Sequence, residues 1–256
     1  MNLVDIAAVI GALAWAPVII EWVIKAIKKP VITVILDKAP EIGYTTFGPI
    51  LNYRIALTAD NGPVVISKIE IVLVHESGER RLLTWQGMVQ NYGFMTIEDK
   101  KMPMERDQVA LAIKVNDNDV EERLFRFQDE NFNANWKVLM NKSVERLNII
   151  LNHNKDFHDE LYKSDEIAKL RDQAMHGMTW KSGKYSAEIK INCNKPSRVI
   201  GNLFHFTLST LDVERLKNNI AHAETAIKNE VYESQVGFQR QEILWNWQYP
   251  VTGKNG

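Results

Sequence analysis

Cysteine is almost missing from this chain: Cys193 stands alone among 256 residues. No intramolecular disulfide can form, so the fold must hold by burial and hydrogen bonding. An excess of one charge is also lacking. Lys and Arg number 31, Asp and Glu 32, and the formal net charge is −1. No basic face dominates, so no nucleic-acid partner is indicated. There is no Pro/Gly/Ser tract, no long run of like charge and no repeat of fixed period.

Catalytic motifs are lacking too. The nearest phosphate-loop candidate runs from Gly177 to Tyr185, but five residues separate its glycines and Tyr185 follows Lys184. A phosphate loop needs four, and a hydroxyl after the lysine for Mg²⁺. The segment also precedes a strand instead of following one. Asp117, Asn118, Asp119, Glu121 and Glu122 crowd acidic oxygens together, yet Glu122 holds the sixth place, where a calcium loop needs glycine for its bend. The best metal candidates are His153, His158 and Asp159. On a helix the two histidines, five residues apart, would point about 140° from each other, unlike the i,i+4 pair of a zinc helix. No Gly-x-Ser-x-Gly elbow exists, and Cys193 on a strand's inward face reads as a small buried hydrophobe. No cofactor is implied.

What the chain does have is one long apolar run. No side chain from Ile6 to Ile20 is charged. A helix from about Leu3 to Ile24 would be about 33 Å long, enough to cross a hydrocarbon core of ~30 Å. Ile6, Gly11, Trp15 and Pro17 lie in this run, Trp22 falls at headgroup level, and Lys25, Lys28 and Lys29 close it. The basic cluster after the run places the following domain in the cytoplasm. Residues 1–29 are thus expected to be a single-pass anchor and amphipathic stem in the cell membrane, with the lipid bilayer as a partner. A cleaved signal peptide lacks its basic start here, and a helix lying in the membrane surface is the other rival. Ala8, Ala12 and Ala16 form a small-residue stripe that would allow a homo-oligomer.

Residues 30–256 are expected to be one mainly β domain with helices (α+β). Val31–Leu36, Ile50–Ala59, Val64–Val74, Arg81–Trp85, Gln108–Val115 and Val120–Phe127 read as strands. Short strands at this spacing, each with one polar face, predict an antiparallel immunoglobulin-like β-sandwich. The period then changes. Trp136, Leu139, Met140, Val144, Leu147 and Leu151 predict an amphipathic helix, and Phe157 to Ala174 a second, ended by Gly177 in a left-handed cap. Residues 131–180 read as a helical insertion, or as the start of a second α+β domain near Phe132. Strands return at Tyr185–Cys193 and Val199–Leu208, followed by a C-terminal helix to about Val231. Ile243, Trp245, Trp247 and Tyr249 alternate along a last strand, as the edge of a core or as a recognition surface.

These features together predict a membrane-anchored, non-catalytic binding module: a sensor, an adaptor or a subunit of a membrane complex, with a protein partner or a second copy. Its ligand contacts would be Tyr44, Phe47, Tyr92 and Phe94, in long loops Glu41 to Gly48 and Gln86 to Lys101. The alternative is a membrane-tethered hydrolase or nucleotide-binding enzyme with its site between sandwich and inserted helices, resting on the cluster from His153 to Glu160.

Overall fold

A computed structural model describes residues 15, 17–19, 28–97, 100–151, 157–233 and 238–254. The strands are β1 (Val31–Leu36), β2 (Glu41–Thr45), β3 (Gly48–Asp60), β4 (Val64–His75), β5 (Arg80–Ile97), β6 (Lys100–Val109), β7 (Ile113–Val115) and β8 (Val120–Gln128), then β9 (Gly183–Cys193), β10 (Arg198–Ile200), β11 (Leu203–Leu208), β12 (Trp247–Gln248) and β13 (Gly253–Lys254). Helices α1 (Glu130–Leu151), α2 (Phe157–Tyr162) and α3 (Asp165–His176) stand between β8 and β9. Helices α4 (Thr210–Lys217) and α5 (Asn219–Val231) follow β11.

The strands form one continuous curled sheet, a half-barrel, with main path β10-β1-β3-β8-β5-β4-β9-β11-β13. The expected immunoglobulin-like sandwich is therefore corrected: a sandwich needs two separate sheets, and here the hydrogen-bonded path is unbroken. Alternation along a strand says that one face is buried, but not whether a second sheet or the same sheet curling back covers it. In β3, Leu51, Tyr53, Ile55, Leu57 and Ala59 are buried inside the curl. Four strands separate β3 from β11 along the path, yet the Tyr53 and Phe204 rings lie 5.2 Å apart across the interior. Burial pushes the Tyr53 hydroxyl up to about 12, with Asp37 adding to the rise and a Thr252 hydrogen bond opposing it.

The C-terminal residues bridge the gap in the curl. The Thr252 N–H donates to the Lys38 carbonyl at 2.8 Å, and the Tyr53 hydroxyl donates to Thr252 Oγ1 at 3.1 Å. Gly253 and Lys254 then pair with β11.

The expected transmembrane helix is also corrected. Ile6, Gly11, Trp22 and Lys25 lie outside the described residues; Trp15 and residues 17–19 are helical, and Lys28 and Lys29 precede β1. Among the described residues, no helix is long and apolar enough to cross a membrane. The single-pass, cell-membrane and cytoplasmic-facing placement rested on that span and is withdrawn with it. An apolar run meets the length condition for a span, but apolar sequence also serves helices packed in other ways.

Helices α1 and α3 with α5 bury a second apolar core, which includes Trp136, Leu147, Leu170 and Ile227. Arg171 of α3 ties to Glu224 of α5 through Nε and Nη2, at 2.8 and 3.2 Å, and its guanidinium lies 3.6 Å over the Tyr162 ring. Burial pushes the Glu224 carboxyl up, but hydrogen bonds from Arg171 and Tyr162 and the Arg171 charge outweigh it and hold the group below its ordinary value. A depressed carboxylate stabilises the fold above its unfolded pKa and loses that contribution as pH falls through the folded value. Glu224→Gln should therefore lower the unfolding midpoint at neutral pH and make no difference in strong acid. A gap between variant and parent that does not shrink as pH falls from 7 to 3 would count against the ion pair as its cause.

Gly177 differs from expectation. Its φ is −77°, a right-handed helical conformation and not a left-handed cap. Glycine is needed for space: a Cβ there would lie 2.1 Å from the Phe132 ring and 2.7 Å from the Gln173 carbonyl oxygen. The single C-terminal helix expected to Val231 is two helices that share Asn218 as cap. The break puts Asn219, fully buried, in the first turn of α5 beside β2.

Candidate functional site

A cavity of about 330 Å³ lies outside the curl, between the sheet, α5 and residues 240–247. Its floor follows from strand register. Even-numbered residues of β3 face away from the inner core, and Ile50 and Asn52 sit directly opposite Gln128 and Arg126 of β8. Farther along β3 the same face is open, at Arg54. At Ile50 and Asn52 it is covered. Ala226, Asn229 and Glu230 of α5 form one wall, and Arg240, Ile243, Trp245 and Trp247 the other. Thr45 at the end of β2, and Thr46 and Phe47 in the turn to β3, also line the cavity, and Phe47 is 46% exposed.

Two asparagines of α5 hold the outer wall. Asn229 Nδ2 donates to the Gln241 carbonyl at 2.7 Å, and its Oδ1 accepts from the Gln241 N–H at 2.9 Å. Asn219 Nδ2 donates to the Tyr44 and Asn246 carbonyls, each at 2.9 Å, and its Oδ1 accepts from the Asn246 N–H at 2.8 Å. The segment 240–246 is thus bound by side-chain amides in place of a neighbouring strand. This explains why the alternation of Ile243, Trp245, Trp247 and Tyr249 yields only the two-residue β12. Trp247 reaches the wall because β2 has glycine opposite it. Gly43 pairs with Trp247, and a Cβ on Gly43 would lie 2.3 Å from the indole.

The polar groups around the cavity are incompletely satisfied. Asn52 is 7% exposed and donates through Nδ2 to Glu41 at 3.2 Å, which fixes Oδ1 as its acceptor end. That Oδ1 is buried and has no hydrogen-bond partner among the described residues. Asn133 donates to Gln128 Oε1 at 3.3 Å, and its own Oδ1 is likewise buried without a partner among them. Burying an unpaired acceptor costs about 1–3 kcal/mol, so each is a local cost to the fold; Asn52 belongs to the cavity lining and Asn133 stands outside it. Of the two guanidiniums, Arg126 meets Asp107 at 3.0 Å, whereas Arg240 meets Glu233 at 3.6 Å, beyond hydrogen-bond length. Glu230 accepts from the Trp136 indole N–H at 3.3 Å.

Sequence-predicted contacts are dispersed. Phe47 borders the cavity. Tyr44 is buried, and its hydroxyl donates to the Ala174 carbonyl at 2.5 Å, joining β2 to α3; burial drives its pKa up. The segments Glu41 to Gly48 and Gln86 to Lys101 are mostly strand, not loop. Tyr92 and Phe94 fall on β5 where it pairs with β6, and their side chains lie outside the described residues. So do His153 and the side chains of His158 and Asp159. Among the described residues, no three His, Cys, Asp or Glu side chains gather to hold a metal.

His75 and Ser77 form a second close cluster. Ser77 Oγ lies 2.8 Å from His75 Nδ1, the Ser77 N–H donates to that nitrogen, and Nε2 faces the Ser182 carbonyl at 3.1 Å. With Nδ1 accepting from the backbone, Nε2 carries the proton and donates to Ser182. The arrangement fastens the β4–β5 turn to the start of β9.

No protein-family model and no curated protein matches the sequence. Among solved structures, the chain is similar to Spo0M, a sporulation control protein from Bacillus subtilis, at 8% identity and a TM-score of 0.24, over 77% of this chain and 56% of that one. The chain thus spans little more than half the length of that protein. A likeness of this degree carries no argument about fold or function.

Proposed function

We propose that this chain is a non-catalytic binding module for a small molecule, with the cavity beside Asn52 as its site. One observation carries the reading: a cavity of about 330 Å³ brings the apolar side chains Phe47, Ile50, Ile243, Trp245 and Trp247 together with the polar groups of Asn52, Gln128, Arg126, Glu230 and Arg240. Apolar walls with a few convergent polar groups are the usual make-up of a ligand site. The walls come from the sheet, α5 and the clamped segment 240–247, so the site is built on elements held in place before a ligand arrives.

Ligand-observed NMR screening of a fragment library tests this, with the parent chain set beside Ile243→Trp, whose larger ring fills the cavity. Hits for the parent should vanish in the variant while its circular dichroism spectrum stays that of the parent. Ala226→Phe, which fills the cavity from the opposite wall, serves if the first variant misfolds. Hits that bind parent and filled variants alike would place the ligand elsewhere and end this reading.

A further inference from the structure

We propose that the cavity takes an uncharged, flat and largely apolar molecule of one ring system. This deepens the reading of the cavity as a binding site and rests on it. Size sets the first limit. At about 330 Å³ the space stands at the lower end of ligand pockets, which run from about 300 to 1,000 Å³, and suits a single or fused ring.

Charge sets the second. Both signs are present in the lining, and each charged group already has a partner. Arg126 meets Asp107 at 3.0 Å, Arg240 pairs with Glu233 at 3.6 Å, and Glu230 accepts from the Trp136 indole N–H. An acid in the cavity competes with Asp107 and Glu233 for the guanidiniums and faces Glu230 as well. A base drawn to Glu230 meets two guanidiniums in the same lining. Either one gives up the hydration of its charge, and no unengaged counter-charge replaces it. An uncharged ligand escapes that cost.

Hydrogen-bonding capacity is taken up in the same way. Asn229 engages Gln241 with both ends of its amide, Gln128 Oε1 accepts from Asn133, and the Thr45 hydroxyl accepts from the Phe47 N–H. Asn52 donates to Glu41, and its Oδ1 is buried, so a ligand in the cavity does not reach it. What remains for a ligand to meet is mainly carbon, from Phe47, Ile50, Ala226, Ile243, Trp245 and Trp247. Half of these side chains are aromatic, and such rings pack well against the face or edge of another ring. Apolar burial therefore supplies the affinity.

Isothermal titration calorimetry on the full chain at neutral pH tests the proposal with indole, indole-3-carboxylate and tryptamine, one ring system carrying no charge, a negative charge and a positive charge. Indole should bind at least about tenfold tighter than either charged relative. Its affinity should not fall between about 0.01 and 1 M salt, a range over which charge-driven binding is screened away. Its binding should grow more exothermic as temperature rises, the mark of apolar burial. The indole heat should vanish in Ile243→Trp or, where that variant misfolds, in Ala226→Phe. Carboxylate or amine binding as tightly as indole overturns the ligand class and leaves the site standing, provided that the heat vanishes on filling the cavity. Indole heat that persists in a folded, filled variant puts the ring elsewhere and overturns the proposal. No heat with any probe overturns the class alone where fragment hits still vanish on filling the cavity, and class and site together where none vanish.

Discussion

An Asn219→Ala chain should unfold about 3 kcal/mol more easily than its parent. The estimate counts about 1 kcal/mol for each of three backbone groups, one buried and two partly buried, left without a partner. Those groups are the Tyr44 carbonyl, the Asn246 carbonyl and the Asn246 N–H, all now met by one amide. Alanine restores none of these bonds, and the site is too enclosed for water to replace them freely, since Asn219 has no exposed surface. Urea unfolding measures the loss, and trypsin locates it. Arg240 sits in the segment that Asn219 and Asn229 clamp, so cleavage after Arg240 should speed up well before the rest of the chain is cut. An unchanged midpoint with unchanged cleavage would show that the amide clamp does not hold the outer wall of the cavity.

Gly43→Val should be about as damaging, roughly 3 kcal/mol, by overpacking. The first added carbon already falls 2.3 Å from the Trp247 ring, and the Gly43 carbonyl also accepts the Trp180 indole N–H at 2.9 Å, so β2 is pinned on that side. Trp247 must therefore leave, and the cavity loses a wall. A double-mutant cycle with Trp247→Ala separates this from a general cost of valine on β2. If the clash is the cause, Gly43→Val costs much less in the Trp247→Ala background. Additive costs would refute it. Fragment binding should be lost in Gly43→Val even where the chain remains folded.

How much of this was legible in the sequence depends on what sets each element. Strands with strict alternation, such as Tyr185 to Cys193, were readable to within a residue or two, because a half-buried strand repeats every second position. Their assembly was not, since period two is shared by sandwiches and curled sheets. Gln108 to Val115 shows the limit within a strand. Val109 and Leu111 are 74% and 80% exposed while Ile113 and Val115 are buried, because pairing with β5 stops at Val109 and pairing with β4 resumes at Ile113. The apolar N-terminal run announced a span by length alone, a property of composition and not of packing. The cavity was half visible. Alternating Ile243, Trp245 and Trp247 were recognisable as one face, and Phe47 as a contact. Asn52, Arg126, Asn229 and Arg240 were not, because their meeting depends on register between β3 and β8 and on a helix break at Asn218 that no local signal marks.

Thr252 and Lys38 lie 214 positions apart in the chain, and their hydrogen bond brings the two margins of the curl together. Contacts of such separation are the slowest to form, because the entropy of closing the intervening chain precedes any gain. During synthesis β1, β3, β4, β5 and β8 emerge first, and their inner faces have no opposite wall until β9 and β11 arrive with Tyr185, Phe204 and Phe206. The nascent chain therefore passes through a stage with a wide apolar sheet and two open margins, the kind of surface on which chains associate. Residues 252–254 join the margins only after every other strand they meet has been made, so this tripeptide acts on the yield of folded protein out of proportion to its size.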